Sequence, residues 1–128
     1  MNQNPIERWH RIVDARDLSG LDDLLAEDVV FHSPVVHSPQ RGRELTNMYL
    51  TAALSVLGDG FHYVREVVGE RDAVLEFVTE IDGIHVNGVD LVRWNDDGRI
   101  VDFKVMVRPL KAINLLHRKM GEMLESLK

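Results

Sequence analysis

A lone carboxylic acid inside an otherwise apolar strand is the most chemically suggestive feature of this sequence. Asp90 lies within Ile84–Trp94, where apolar and polar residues alternate. Successive side chains of a strand point to opposite faces, so if the strand alternates regularly Asp90 shares its face with Val86, Val92 and Trp94. Such neighbours strip water from a carboxyl and raise its affinity for a proton, which suits a hydrogen-bond donor or a general acid. The alternative is structural: Asp90 could satisfy a helix amide or flank a bulge at Asn87-Gly88. The strand pattern leaves both open.

His32, Ser33 and His37 cluster around Pro34 and Pro39. Their spacing does not match a helical histidine pair for zinc, and no Asp or Glu adjoins them in sequence, so no metal is expected. Strand parity turns Phe31 and Ser33 inward and His32 to the opposite face, with rim polarity or a subunit contact as the plain role of both histidines. Trp9 and Tyr49 sit on the apolar stripes of two helices. Each offers a ring with one polar atom, the usual lining of a small-molecule pocket, although core packing explains them as well. Glu76 and Glu80 look like paired carboxylates, but on a strand their spacing is roughly 13 Å, too far for either glycosidase geometry. They read instead as a polar face with Arg93, Asp102 and Lys104. No phosphate-binding glycine loop or nucleophile elbow is present.

Composition narrows the field. The 128 residues suit one domain spanning 1–128, and 45% hydrophobic against 28% charged content argues for a folded chain. A net charge of −6 with interleaved signs disfavours nucleic acid, which calls for a basic stripe. Cysteine is absent, which removes disulfides and thiol nucleophiles and fits a reducing compartment. No signal peptide or membrane span is readable, and a cytoplasmic location is the default expectation.

The elements that must position these residues fall into two halves. Ile6, Trp9, Ile12 and Val13 recur at helical spacing over Pro5–Arg16, behind Asn4 as cap. Leu18–Ala26 reads as a short helix, with Gly20 weakening it or marking its start. Asp28–Ser33 reads as a strand, and Gly42–Leu57 as a helix facing inward through Leu45, Met48, Tyr49, Ala52 and Val56. Four strands follow at Phe61–Gly69, Asp72–Ile81, Ile84–Trp94 and Arg99–Arg108, separated by turn residues such as Asp82-Gly83. Asn87-Gly88 is expected to be a bulge. Pro109 opens a last helix with Leu110, Ile113, Leu116, Met120, Leu124 and Leu127 on one face. Helices first and a strand meander afterwards is the α+β order.

Several stretches carry a resemblance: the Trp-bearing first helix, Asp17-Leu18-Ser19-Gly20-Leu21-Asp22-Asp23-Leu24-Leu25-Ala26-Glu27-Asp28-Val29-Val30-Phe31, Arg41-Gly42-Arg43-Glu44 opening a helix, and Asp90-Leu91-Val92-Arg93-Trp94-Asn95-Asp96-Asp97-Gly98-Arg99-Ile100. The chain resembles, over nearly its whole length, the SnoaL-like branch of the nuclear transport factor 2-like superfamily. That resemblance implies a cone: a curved antiparallel sheet, three helices across its concave side, and a pocket between, with a C-terminal helix added here. It also implies homodimerisation. Members include ketosteroid isomerase, limonene epoxide hydrolase and polyketide cyclases, so the fold does not by itself assign a reaction.

Carried over position by position, the isomerase's helix-one tyrosine falls at Trp9, its strand acid at Asp90, and its base at Ser33. The aspartate that activates water in limonene epoxide hydrolase falls at Val105. Asp90 alone survives. The resulting expectation is a protein binding a small apolar organic molecule, with Trp9, Phe31, Ser33 and Tyr49 as its lining and no cofactor. An isomerase or cyclase using Asp90 to polarise a carbonyl is the enzymatic form. A non-catalytic binding or dimerising module is the alternative.

Overall fold

The structure, a computed structural model, describes residues 4–126; Leu127, expected on the last helix, lies outside them. Helix α1 (Ile6–Ala15) buries Ile6, Trp9, Ile12 and Val13, and Asn4 Oδ1 accepts the Ile6 N–H at 2.8 Å. That bond satisfies one of the amide donors that a helix start leaves orphaned. Leu18–Gly20 forms a 3-10 turn and α2 spans only Leu21–Leu24. Strand β1 (Leu25–His32) therefore begins earlier than its sequence pattern suggests. Leu25 and Ala26 are apolar and fit helix or strand equally; pairing with β6 (Ile100–Arg108) decides the matter.

After the two-residue strand β2 (Gln40–Arg41) comes α3 (Arg43–Leu57). Its buried stripe is Thr46, Leu50, Ala52, Leu54 and Leu57, whereas Leu45, Met48, Tyr49 and Val56 are half-buried. The expected inward face is thus rotated. Apolar residues surround most of this helix, so periodicity could not choose among faces; contacts with β1 and the last helix did.

Strands β3 (His62–Val68), β4 (Asp72–Ile81), β5 (Ile84–Trp94) and β6 match the expected meander. The curled, unclosed sheet has the order β2-β1-β6-β5-β4-β3. It is mixed rather than wholly antiparallel, because β1 runs parallel to β6. The hairpin joining β4 to β5 turns at Asp82-Gly83, both at positive φ (52° and 78°), the geometry that suits the twist of a two-residue hairpin loop.

No bulge occurs at Asn87-Gly88. Both residues pair in continuous register with β4 and β6. Gly88 is there because Phe77, directly across from it, lays its ring over the backbone: a Cβ on Gly88 would lie 2.7 Å from the Met106 carbonyl oxygen and 2.9 Å from Phe77 Cε2. Asn87 stays in the strand by donating to the Phe77 carbonyl at 2.9 Å and to Glu76 at 3.0 Å.

The final helix, α4 (Leu110–Ser126), lies against α3, β5 and β6. It buries Ala112, Leu115 and Leu116, while Leu110, assigned to its inner face by periodicity, is 71% exposed. The core runs beneath the helices on the concave side, with Phe31, Phe77, Phe103, Leu24, Leu75 and Ile100 almost wholly buried. Each such side chain contributes roughly 1.5–3 kcal/mol of burial. The opposite face carries the rows Val67, Val74, Leu91, Lys104 and Arg65, Glu76, Val89, Met106 in register. No helix among the described residues is long and apolar enough to cross a membrane.

Candidate functional site

Asp90 points into the concave interior, 5% exposed, on the same face as Val86, Val92 and Trp94. Its partner is Tyr63, whose hydroxyl donates to Asp90 Oδ2 at 2.5 Å. Trp9 Nε1–H in turn donates to the Tyr63 oxygen at 2.8 Å. An indole can only donate, so the Tyr63 oxygen accepts from it and the Tyr63 proton is directed to the carboxylate. The chain Trp9–Tyr63–Asp90 has one sense.

Two opposed effects act on this acid. Burial raises the Asp90 pKa to about 7, and the Tyr63 hydrogen bond pulls it down by a lesser amount. Tyr63 is held well above 10, first by its own burial and then by the Asp90 charge. Near neutrality Asp90 therefore exists in both forms. Protonated on the carboxyl oxygen that Tyr63 does not occupy, it can donate to an oxygen acceptor such as a carbonyl.

Tyr63 carries a functional position that sequence reasoning missed. The register of β3 against β4 slips between Tyr63 and Arg65. Tyr63 pairs with inward Phe77, and Glu66 pairs with inward Leu75, so the extra residue, Val64, brings both to the inner side. Regular alternation would separate them. Glu66 then meets His10 Nε2 through its Oε1, and the His10 ring stands edge-on to Tyr63 at 5.3 Å. Helix α1 thus grips Tyr63 through two consecutive residues, Trp9 at the hydroxyl and His10 at the ring.

A cavity of about 40 Å³ lies farther along the cone, lined by Phe31, Ser33, Ala53, Leu57, Phe77 and Val105, with Pro34, Val35, Val107, Leu116 and Met120 around them. Its walls are apolar apart from Ser33. The Ser33 Oγ accepts the Val35 N–H at 3.2 Å, which leaves its own proton to give. The volume exceeds the ~10–15 Å³ that one water needs but is far below the ~150 Å³ that admits a benzene ring. Asp90 does not line it. Val105, the cross-strand partner of Asp90, and Phe77, whose ring centroid is 6.4 Å from that of Tyr63, stand between acid and cavity.

The residues singled out by sequence fall into two groups. Phe31 and Ser33 line the cavity, and Tyr49 stacks on Phe31 at 5.6 Å without reaching it. Trp9 and Asp90 meet through Tyr63. Phe103 joins the groups, 5.1 Å from Trp9 and 6.1 Å from Phe31. His32 faces away, as parity predicts, and meets an acid that the sequence did not place beside it: Asp102 Oδ2 is 3.1 Å from its Nε2. His37 is exposed in the following loop. Among the described residues no group of three or more His, Asp or Glu could hold a metal ion. Glu76 bonds Arg65 at 3.0 Å on the outer face. A larger open depression of about 1000 Å³ lies beside Asp22, Glu27, Arg41 and Arg43 and does not include the buried acid.

A curled sheet wrapped on helices with a proton-binding acid inside defines a cone-type α+β protein. The sequence profile of the SnoaL-like domain matches residues 6–103, and the chain belongs to that family. It is 42% identical to a steroid delta-isomerase from Pseudomonas aeruginosa, with a TM-score of 0.92 over 96% of this chain and 90% of the other. A Silicibacter pomeroyi protein with a cystatin-like fold is 33% identical, with a TM-score of 0.86 over 92% and 83%. The epoxide hydrolase/cyclase-like enzyme SalBIII of pyran ring formation in salinomycin shares the fold at 16% identity and a TM-score of 0.66, over 81% and 88%. No curated protein matches the sequence.

Proposed function

We propose that this chain binds a small, largely apolar molecule bearing a carbonyl inside the cone, and that protonated Asp90 donates a hydrogen bond to that carbonyl. The observation that carries the reading is the buried Asp90 carboxyl, titrating at about 7 with Tyr63 on one oxygen. Kinship with a steroid delta-isomerase supports an isomerase-type or cyclase-type substrate. A carbonyl polarised in a water-poor site loses electron density to the donor, which favours an enol or a cyclising attack.

The second reading, a binding or dimerising module without turnover, draws on the apolar cavity, which Asp90 does not line. Ser33 and Val105 occupy the positions where a base would stand by resemblance, and neither can take a proton near neutral pH. A single domain over 1–128, paired as a homodimer through the outer sheet face around Val74, Val89 and Met106, belongs to either reading. So does a cytoplasmic location.

The test is vibrational. 2-Cyclohexen-1-one bound to the protein is expected to show its carbonyl stretch shifted to lower frequency below pH 7. That shift should fade at higher pH and lose its pH dependence in Asp90→Asn, whose amide N–H donates at every pH. A bound ketone with an unshifted stretch at pH 5 overturns the role of Asp90; hydrogen bonding that survives without conversion selects the second reading.

A further inference from the structure

The family-matched segment ends at residue 103, yet the cavity is completed by Leu116 and Met120 of α4, beyond it. The helix is held unevenly. Its buried residues, Ala112, Leu115 and Leu116, all lie in the first half, and none from His117 to Ser126 is buried. The distal half is tied to the sheet side by a partly exposed Lys119–Asp82 ion pair at 3.1 Å, and such pairs stabilise little. Gly121 follows Met120 in mid-helix, where a Cβ would meet nothing within 4 Å. No close approach requires glycine there, and it weakens the helix at the residue next to the cavity wall.

Resting on the small-molecule reading above, we infer that Met120 is the residue that sets the size of ligand the cone admits, and that the distal half of α4 opens to admit it. A cavity of about 40 Å³ is too small for a ring. Of the side chains around it, Phe31 and Phe77 are locked in the aromatic core, while Met120 is half-buried, unbranched and on the half of α4 that buries no residue. Segments with few buried contacts open locally at low free energy, and ligand gates are drawn from them. Withdrawal of Met120 joins the cavity to the space outside α4. Ligand size is then decided at one thioether, with Leu116 fixed behind it.

Cyclohexanone and the bicyclic 1-decalone, titrated by NMR into the full chain and into Met120→Ala, test this. The variant should shift preference toward the bicyclic ketone by about tenfold or more, the scale at which pocket methylenes discriminate. Gly121→Ala guards against a merely damaged fold. It should slow both amide exchange in the distal half of α4 and ligand association, by about fivefold, the factor by which glycine disfavours a helix interior relative to alanine. If both ketones bind with the same preference in wild type and Met120→Ala, the size role of Met120 is overturned while ligand binding stands. Distal amides that exchange as slowly as those of the proximal half overturn the opening. If neither ketone binds either protein, the small-molecule reading falls and this inference with it.

Discussion

Replacing Asp90 by asparagine should change how stability depends on pH, by an amount the structure sets. In the folded protein the carboxyl titrates at about 7, against an ordinary value of 3.8, because it is buried. Between those values the unfolded chain carries an ionised Asp90 and the folded chain a protonated one, so folding takes up a proton. Stability from this group is therefore complete below about pH 4 and is lost as pH rises toward 7. The slope is ~1.4 kcal/mol per pH unit, and the whole span amounts to ~4 kcal/mol. Asparagine keeps the shape and can still accept from Tyr63, but does not titrate. Urea denaturation of both proteins from pH 4 to pH 8.5 isolates the term, because other groups cancel in the difference. The stability of Asp90→Asn relative to wild type should rise with pH up to about 7 and then level. A difference independent of pH, or one that falls, refutes the claim that burial keeps this acid protonated.

Tyr63→Phe should cost ~1–3 kcal/mol, since it leaves the Trp9 indole N–H without its acceptor, and it should raise the Asp90 titration midpoint further by removing the bond that lowers it; denaturation and carboxyl NMR read the two effects. Gly88→Ala should destabilise by ~1–3 kcal/mol, because the new methyl meets the Met106 carbonyl and the Phe77 ring, and an unchanged denaturation midpoint would refute that packing. Met106→Glu, at a 50% exposed site on the outer sheet face, should convert a dimer to monomers in sedimentation velocity; a wild-type monomer at micromolar concentration refutes the proposed pairing.

The sequence by itself determined the four long strands of the second half, because period-two alternation over nine to eleven residues in β4, β5 and β6 has no helical equivalent. Regular alternation on β5 also points Asp90 inward, but the bulge expected at Asn87-Gly88 left that parity open until unbroken pairing with β4 and β6 settled it. Where one extra residue or an all-round apolar helix intervened, pattern carried no answer. The slip at Val64 brings Tyr63 and Glu66 to one side, so the Trp9–Tyr63–Asp90 chain exists only once β3 pairs with β4. Asn87-Gly88, read locally as a bulge, is a flat strand site shaped by a ring from the neighbouring strand. The face of α3 and the parallel junction of β1 with β6 were decided in the same way. Local pattern records which side of an element is apolar. Which partner that side meets, and how far an acid inside lies from water, depends on contacts between residues distant in the chain, and these arise only when the sheet curls onto its helices.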